Sequence, residues 1–301
     1  MDVTALEIFV EVVRRGSFAA VARDRDADPS VVSRTIASLE EELGGRLFQR
    51  TTRRLTLTEA GTVFFDRVQP AIGELQRARE SVVEASGHAR GTLRVTTSVS
   101  FGQRRLVPLL PPFMALYPDL AVNLLLTESV VDIVAEGLDA AVRLGHLTES
   151  GLVARRLLRT SYVVCASPEY LATHPEIRQP QDLREHECLL LPFPGFRTRW
   201  IFRDRKGAIS EVPVRGRVII STAIALQQCA VSGMGVTMLP NWMVAADLAS
   251  GALKRVLGNH DVTASDFETG IWMVYPTRKH VPLKVRVFAD FLRKSLKEAP
   301  V

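Results

Sequence analysis

From Ser17 to Thr58 the chain sets out two helix starts, a helix stop and a short basic ribbon, and few folds accommodate that order. The Ser17 hydroxyl can accept the orphan amide protons of Phe18-Ala19-Ala20-Val21-Ala22, so a short helix is expected there. A charge-mixed turn follows, from Arg23 to Ala27. Asp28 then suits an N-cap, and Pro29 the first helical position, where its missing N–H would be unpaired anyway. The helix expected from Ser30 to Leu43 carries Val31, Ile36, Leu39 and Leu43 as its apolar positions and presents Ser30, Ser33, Arg34, Thr35 and Ser38 elsewhere. Gly44-Gly45 ends it. Two alternating strands, Leu47 to Arg50 and Leu55 to Leu57, flank Thr51-Thr52-Arg53-Arg54. Two helices joined by a short turn, the second polar near its start, form the arrangement that enters a DNA major groove.

A helical hairpin serving only as an interaction module has a similar pattern. The ribbon discriminates between the two. Between Leu43 and Thr58 the charged residues are Arg46, Arg50, Arg53 and Arg54, without an acid among them. Beside a recognition-type helix such a wing suits phosphate and minor-groove contact. Candidate DNA-contacting residues are therefore Ser17, Ser30, Ser33, Arg34, Thr35, Ser38, Arg50, Arg53 and Arg54.

Phe9, Gly16-Ser17-Phe18-Ala19-Ala20, Val32-Ser33-Arg34, Leu39 to Gly44, Arg46 to Arg50 and Leu57-Thr58-Glu59-Ala60-Gly61 together resemble the N-terminal signature of LysR-type transcriptional regulators. The match is dense over the first sixty or so residues and looser to the C-terminus. Family members commonly carry Ser-Gln where this chain has Asp28-Pro29, so the resemblance implies groove placement without a base preference.

The 301 residues suffice for two or three units with their own cores. No run approaches the roughly 20 apolar residues of a membrane helix. Met1-Asp2-Val3-Thr4 lacks the basic start and apolar block of a signal peptide, so a cytoplasmic location is expected. The cysteines, Cys165, Cys188 and Cys229, are odd in number and far apart, which fits reduced core thiols better than a disulfide framework or zinc site. The net charge of +5 points weakly to a polyanion.

A first helix is expected over about Thr4 to Arg14, starting on a capping box, Thr4-Ala5-Leu6-Glu7, with Leu6, Phe9, Val10 and Val13 as its apolar face. After the wing, Thr58 caps a long helix to about Ser86, which Pro70 should kink. Phe65, Val68, Ile72, Leu75 and Val82 step by threes and fours along it, as in a coiled-coil seam. The resemblance favours dimerisation here over packing within one domain.

From Gly91 strands and helices alternate: strands Thr92–Thr97, Val122–Leu126 and Ala140–Leu144, with helices Leu106–Tyr117 and Val130–Glu136. This implies a parallel sheet covered by helices. A second unit runs through strand Tyr162–Ala166, helix Pro168–Thr173, strand Cys188–Leu191 and a hairpin of Trp200–Phe202 with Gly207–Val212. Strand Arg217–Ile220, helix Ala223–Ser232, strand Val236–Leu239 and helix Trp242–Ser250 complete it. Ile271–Tyr275 and a final helix, about Pro282 to Lys297, return to the first unit. The expected organisation is a winged helix-turn-helix, mainly α, over 1–58 and a linker or dimerisation helix over 59–87. A two-lobed α/β domain covers 88–301, with lobe I of 91–161 and 267–301 and lobe II of 162–266. It resembles the type II periplasmic-binding-protein-like effector domain of the same family.

Catalytic signals are weak. Gly233-Met234-Gly235 follows a helix and precedes a strand, the reverse of a dinucleotide-binding turn, and reads as a helix C-cap. His186-Glu187-Cys188 lacks the paired spacing of a metal site. The chain shows neither a nucleophile elbow nor a Walker loop, so no catalytic residue, metal or cofactor is expected.

In two-lobed α/β domains ligands bind at the carboxyl ends of parallel strands. Those ends carry Ser98, Ser100, Thr127, Ser129, Arg143, Ser221 and Thr222, a hydroxyl-rich set suited to a small anion such as a carboxylate. Each serine or threonine is equally readable as an N-cap. Trp200 and Phe202 fit either an apolar wall of the pocket or core. The resemblance implies effector contact best at Ser100 and Ser129. Its implied partners are double-stranded operator DNA, a small-molecule effector, further copies in a homodimer or homotetramer, and RNA polymerase, with no membrane. The alternatives are a solute-binding protein or an enzyme on the same fold with an unrelated N-terminal domain.

Overall fold

The computed structural model describes residues 2–50, 55–84, 88–145, 152–276 and 281–298. The chain divides into two compact units: Met1–His88 with Asp132–Leu138, and Ala89–Val131 with Asp139–Val301.

The first unit opens with α1 (Val3–Arg15), α2 (Phe18–Asp24) and α3 (Pro29–Leu43). The hairpin β1 (Phe48–Arg50) and β2 (Leu55–Leu57) and the long α4 (Glu59–Glu84) follow. Local capping sets most of the boundaries. Asp2, not Thr4, caps α1, its side chain accepting the Thr4 N–H at 3.1 Å; the helix therefore starts earlier than the Thr4-to-Glu7 box suggests. Ser17 caps α2 through the Ala20 N–H, and Asp28 caps α3 through the Ser30 N–H at 2.7 Å. Gly44 closes α3 in the left-handed region, φ 67°, which costs a side-chain-free residue little. Inside α3 the buried row is Val32, Ile36 and Leu39, while Val31 and Leu43 are exposed. Periodicity alone misassigned Val31 because two adjacent valines compete for one position of the stripe.

The core of this unit gathers Ile8, Phe9 and Val12 of α1, Val21 and Ala22 of α2, the α3 row, Leu47 and Phe48. Val68 and Ile72 of α4 belong to it too, with Phe64 and Phe65 packed alongside. Phe9 is its centre, with ring centroids 5.5 Å from Phe48 and 5.3 Å from Phe64. The expected seam residues Val68 and Ile72 are thus committed to this core, and Phe65 packs against it. An apolar stripe at helical spacing cannot say which neighbour it will meet.

The second unit has two sheets. The first comprises β3 (Gly91–Thr97), β4 (Leu120–Leu126), β5 (Ala140–Gly145), β6 (Leu152–Arg159) and, from the far end of the chain, a strand over Gly270–Pro276. Between β3 and β4 lie α5 (Val99–Phe101), a π turn over Gly102–Leu106, a 3-10 turn over Val107–Leu109 and α6 (Leu110–Leu116). Pro108, Pro111 and Pro112 break what was expected to be one helix, because each removes an N–H donor. The helix expected over Val130–Glu136 is absent. Asp132 instead accepts the Val134 and Ala135 N–H groups in a turn, and Gly137 leaves it at φ 63°.

The second sheet contains β7 (Tyr162–Ala166), β8 (Cys188–Leu190), β9 (Arg199–Arg203), β10 (Ile209–Pro213), β11 (Val218–Ile219), β12 (Val236–Pro240), β13 (Lys254–Val256) and β14 (Asp261–Thr263). It is flanked by α7 (Pro168–Thr173), α8 (Ala223–Val231) and α9 (Asn241–Ser250). The chain then crosses back as β15 (Gly270–Pro276) and ends in α10 (Leu283–Glu298), whose Val285, Phe288, Ala289, Leu292 and Leu296 form one buried row.

Both sheets are mixed, not parallel as expected. β3 runs parallel to β4 and β5, whereas β15 is antiparallel to β5 and β6. The cause is topological: β15 returns from the second sheet against the direction of β6, which leaves for it. The crossing segments are bonded to each other, Thr269 Oγ1 donating to the Thr160 carbonyl at 2.8 Å. In the second sheet, among the described residues, the β11–β8 and β12–β8 pairs alone are parallel.

Candidate functional site

On α3 the residues Ser30, Arg34, Ala37, Ser38 and Glu41 are all exposed. Their spacing puts them on one face, opposite Val32, Ile36 and Leu39. Arg34 lies back along its helix, Nε donating to the Ser30 carbonyl at 3.3 Å, a posture its long side chain can leave when a better acceptor arrives. Ser33 and Thr35 are half-buried at the edges, and the Thr35 hydroxyl donates to the Val31 carbonyl at 2.9 Å. Ser17 is occupied as the α2 cap.

Two contacts rigidify this helix. Arg25, in the turn between α2 and α3, makes a bidentate bond to Glu11 at 2.7 and 2.8 Å, which raises its guanidinium above its ordinary value. Glu40 accepts the Leu47 and Phe48 N–H groups at 2.7 and 3.0 Å, clamping β1 to α3. At the other end of the hairpin the Thr58 hydroxyl donates to the Arg46 carbonyl and accepts the Gly61 N–H. A Cβ at Gly61 would stand 2.0 Å from the Leu47 carbonyl oxygen, so only glycine fits. Arg50 lies in β1, while Arg53 and Arg54 lie outside the described residues. Arg46 is exposed.

In the second unit a cavity of about 310 Å³ opens at the carboxyl ends of β3, β4 and β5 on one side and of β8, β11 and β12 on the other. Ser98, Ser100, Thr127, Ser129, Arg143 and Ser221 all line it. Thr222 is instead the N-cap residue of α8. Trp200 and Phe202 are fully buried in the core of the second sheet, because β9 pairs with β10 and β14 rather than with the strands whose ends form the cavity. The aromatic wall consists of Tyr162, Phe193, Phe196 and Trp242. Burial pushes the Tyr162 phenol up to about 12, so it stays neutral.

The hydroxyls are not idle. Ser98 caps α5 through Phe101, and Thr127 Oγ1 accepts the Ser129 N–H. Ser100 bridges the two sheets' helices, its hydroxyl accepting the Ile224 N–H at the start of α8 at 3.2 Å. Arg104 makes a second bridge to Gln227 Oε1 at 3.2 Å. Glu128 accepts the Val99 N–H at 3.1 Å; burial raises its carboxyl above the ordinary value, against the backbone hydrogen bonds. Arg143 donates to the Val131 carbonyl at 2.8 Å, and desolvation lowers it. Arg104, Gln227 and the aromatic wall come together only through tertiary pairing, whereas Glu128 lies at a strand end between Thr127 and Ser129, a positional signal of the same kind as theirs. Removing the Ser100 bridge has a local consequence. Ser100→Ala should accelerate hydrogen exchange at Ile224 about tenfold or more, since its N–H loses its acceptor; unchanged protection there contradicts the bridge.

Cys165 and Cys188 are buried thiols pushed up to about 12, and Cys229 is half-buried. His186 Nδ1 pairs with the Tyr170 hydroxyl at 3.2 Å, and among the described residues no group of metal ligands forms. Gly233 follows α8 at φ 76°, as a helix terminator does. Among the described residues no helix is long and apolar enough to cross a membrane.

Comparison with known families places both units. Residues 3–62 match the bacterial regulatory helix-turn-helix protein model of the lysR family, and residues 86–297 match the LysR substrate binding domain. The chain belongs to the LysR family of transcriptional regulators. Among curated LysR-type relatives, CrgA of Neisseria meningitidis serogroup C is 34% identical over 291 residues, 97% of this chain and 96% of that protein. PtxR of Pseudomonas aeruginosa is 32% identical over 301 residues, 100% of this chain and 95% of its own. Among solved LysR-type structures, CrgA matches with a TM-score of 0.62 at 34% identity, covering 98% of this chain and 99% of that one. A full-length variant of AphB matches at 0.70 and 28% identity, covering 97% and 98%.

Proposed function

We propose that this LysR-type regulator reads operator DNA through the exposed face of α3 and senses a small molecule in the cavity of its second unit. The observation that carries the first half is the polar row Ser30, Arg34 and Ser38 set opposite a buried apolar row on one helix. A helix so mounted offers short donors and one long cation to base edges, while Arg46, Arg50, Arg53 and Arg54 meet phosphates. Ser33 and Thr35 contribute at the edges, and the capping hydroxyl of Ser17 sits at a helix start suited to phosphate. The lobes of 91–161 plus 267–301 and of 162–266 are supported by the strand membership of the two sheets, whereas a division at 58 is one of secondary structure alone, since α4 packs Val68 and Ile72 into the core of the DNA-binding unit. The effector contacts are assigned to Ser98, Ser100, Thr127, Ser129, Arg143 and Ser221, which line one cavity. A ligand held between the lobes shifts the chain by its differential affinity for two lobe arrangements.

Assembly as a dimer or tetramer, contact with RNA polymerase, action in the cytoplasm and the absence of any catalytic step belong to the same reading. On this reading the α4 seam uses exposed positions beside the buried Val68 and Ile72, namely Val63, Ala71 and Ala78. Leu75 is half-buried beside it, and the Val82 side chain lies outside the described residues.

The decisive experiment uses a duplex selected from a random pool by the wild-type protein. Arg34→Ala should weaken binding to it by about 1–3 kcal/mol and relax preference at one base pair, with the salt dependence nearly kept. Equal affinity of variant and wild type for the selected duplex refutes the placement of α3.

A further inference from the structure

We propose that the cavity takes a net-neutral, largely apolar molecule of one or two rings that presents a hydrogen-bond acceptor, and discriminates against free carboxylates. The inference rests on the reading of this cavity as the effector site and adds the chemical class of its occupant. Size sets the first bound. The volume of about 310 Å³ is about twice that of the ~150 Å³ apolar cavity that holds a benzene ring. The aromatic side chains of Tyr162, Phe193, Phe196 and Trp242 suit a flat molecule.

Hydroxyls of the lining set the second bound. Ser129 and Ser221 are exposed where they line the cavity, so their O–H groups are open to a hydrogen-bond acceptor on the occupant.

Charge sets the third bound. Glu128 and Arg143 are the one acid and the one base among the described residues of the lining, so their formal charges cancel. Each is already engaged, Glu128 with the Val99 N–H and Arg143 with the Val131 carbonyl. The amide donor that would receive a ligand carboxylate at the end of β3 is held by the protein's own carboxylate. A second carboxylate entering this desolvated space would face Glu128 with no surplus cation to offset it. The shifts of Glu128 upward and Arg143 downward have burial as their largest cause, the mark of a cavity that penalises charge of either sign.

The test is calorimetric titration of the full chain with matched rings, 2-naphthamide against 2-naphthoate and benzamide against benzoate. Wild type should bind the better amide at least about tenfold more tightly than its acid. Glu128→Gln keeps an acceptor for Val99 and leaves Arg143 uncompensated, so it should reduce that ratio by about tenfold or more. Acids binding wild type as tightly as amides, or neither member of either pair binding, overturns the proposal; should Glu128→Gln not fold, the wild-type ratio decides alone. Retention of the pool-selected duplex is measured alongside. An acid that binds and changes retention sinks the ligand class and keeps the sensor. An amide that binds without changing retention upholds the class and sinks the sensor.

Discussion

Asp139→Ala should destabilise the second unit by about 3–5 kcal/mol, the largest loss expected from a single side chain outside the apolar cores. Asp139 and Lys284 form an ion pair of 3.1 Å with side chains 3% and 1% exposed. The ammonium also donates to the Thr92 carbonyl at 2.8 Å, and the carboxylate accepts the Arg94 N–H at 2.8 Å. The pair therefore fastens the start of β5 and the start of α10 to β3. Removing one partner leaves the other charged and buried, whereas removing both leaves mainly lost packing. The double variant Asp139→Ala/Lys284→Met should accordingly lose less than Asp139→Ala. Trp200, Trp242 and Trp272 are all the tryptophans of the chain and all lie in this unit, so fluorescence during urea denaturation reports on it alone. A single variant costing under about 1 kcal/mol, or a double variant costing more than it, contradicts this account.

That pair illustrates what the sequence leaves unsaid. Lys284 sits at the start of an amphipathic helix, where a lysine ordinarily reads as solvated, and Asp139 lies far from it along the chain. Nothing local announces their meeting. Caps behave differently because their partners lie two or three residues away: Ser17, Asp28 and Thr58 were legible for that reason. Strand β6 carries no clear strand signal because its alternation is broken. A register shift between Ile271 and Trp272 moves its pairing from Leu158 to Arg156, and Arg155, Arg156 and Arg159 dilute its apolar content. Arg155 is there to meet Asp290 at 3.0 Å, and Arg156 to lie over the Trp272 ring.

The cavity was legible where the argument was topological. Parallel strands aim their carboxyl ends at a shared crevice, so Ser98, Ser100, Thr127, Ser129, Arg143 and Ser221 could be named from strand positions alone. Trp200 and Phe202, readable as either pocket wall or core, take the core, since which strands join at the sheet's far edge depends on pairing that no local pattern encodes. Ser98, Ser100 and Thr127 both accept backbone N–H groups and line the cavity, so for them the two readings are not exclusive. Glu128 is the consequential omission. It turns a set of hydroxyls that suggests an anion site into one already carrying a carboxylate.

The long helix supplies the remaining test, because one apolar stripe admits two incompatible partners. With Ile72 6% and Val68 8% exposed in the core built around Phe9, a charge at Ile72 attacks the fold of the DNA-binding unit itself. Ile72→Asp should cost about 4 kcal/mol or more there, since an unpaired carboxylate is placed among Phe9, Phe64 and their neighbours. Hydrogen exchange of the full chain should show α1 and α3 losing protection, at Phe9 and Ile36 above all, whatever the state of assembly. Val63→Asp falls on the outward row, where Val63 is 60% exposed. It should leave protection in α1 and α3 intact and lower the mass seen in sedimentation at micromolar concentration. Each substitution thus reports on one face. Were Ile72→Asp to yield a monomer whose α1 and α3 remain protected, the stripe would be a seam between copies, and Phe9 would have to complete its core without α4.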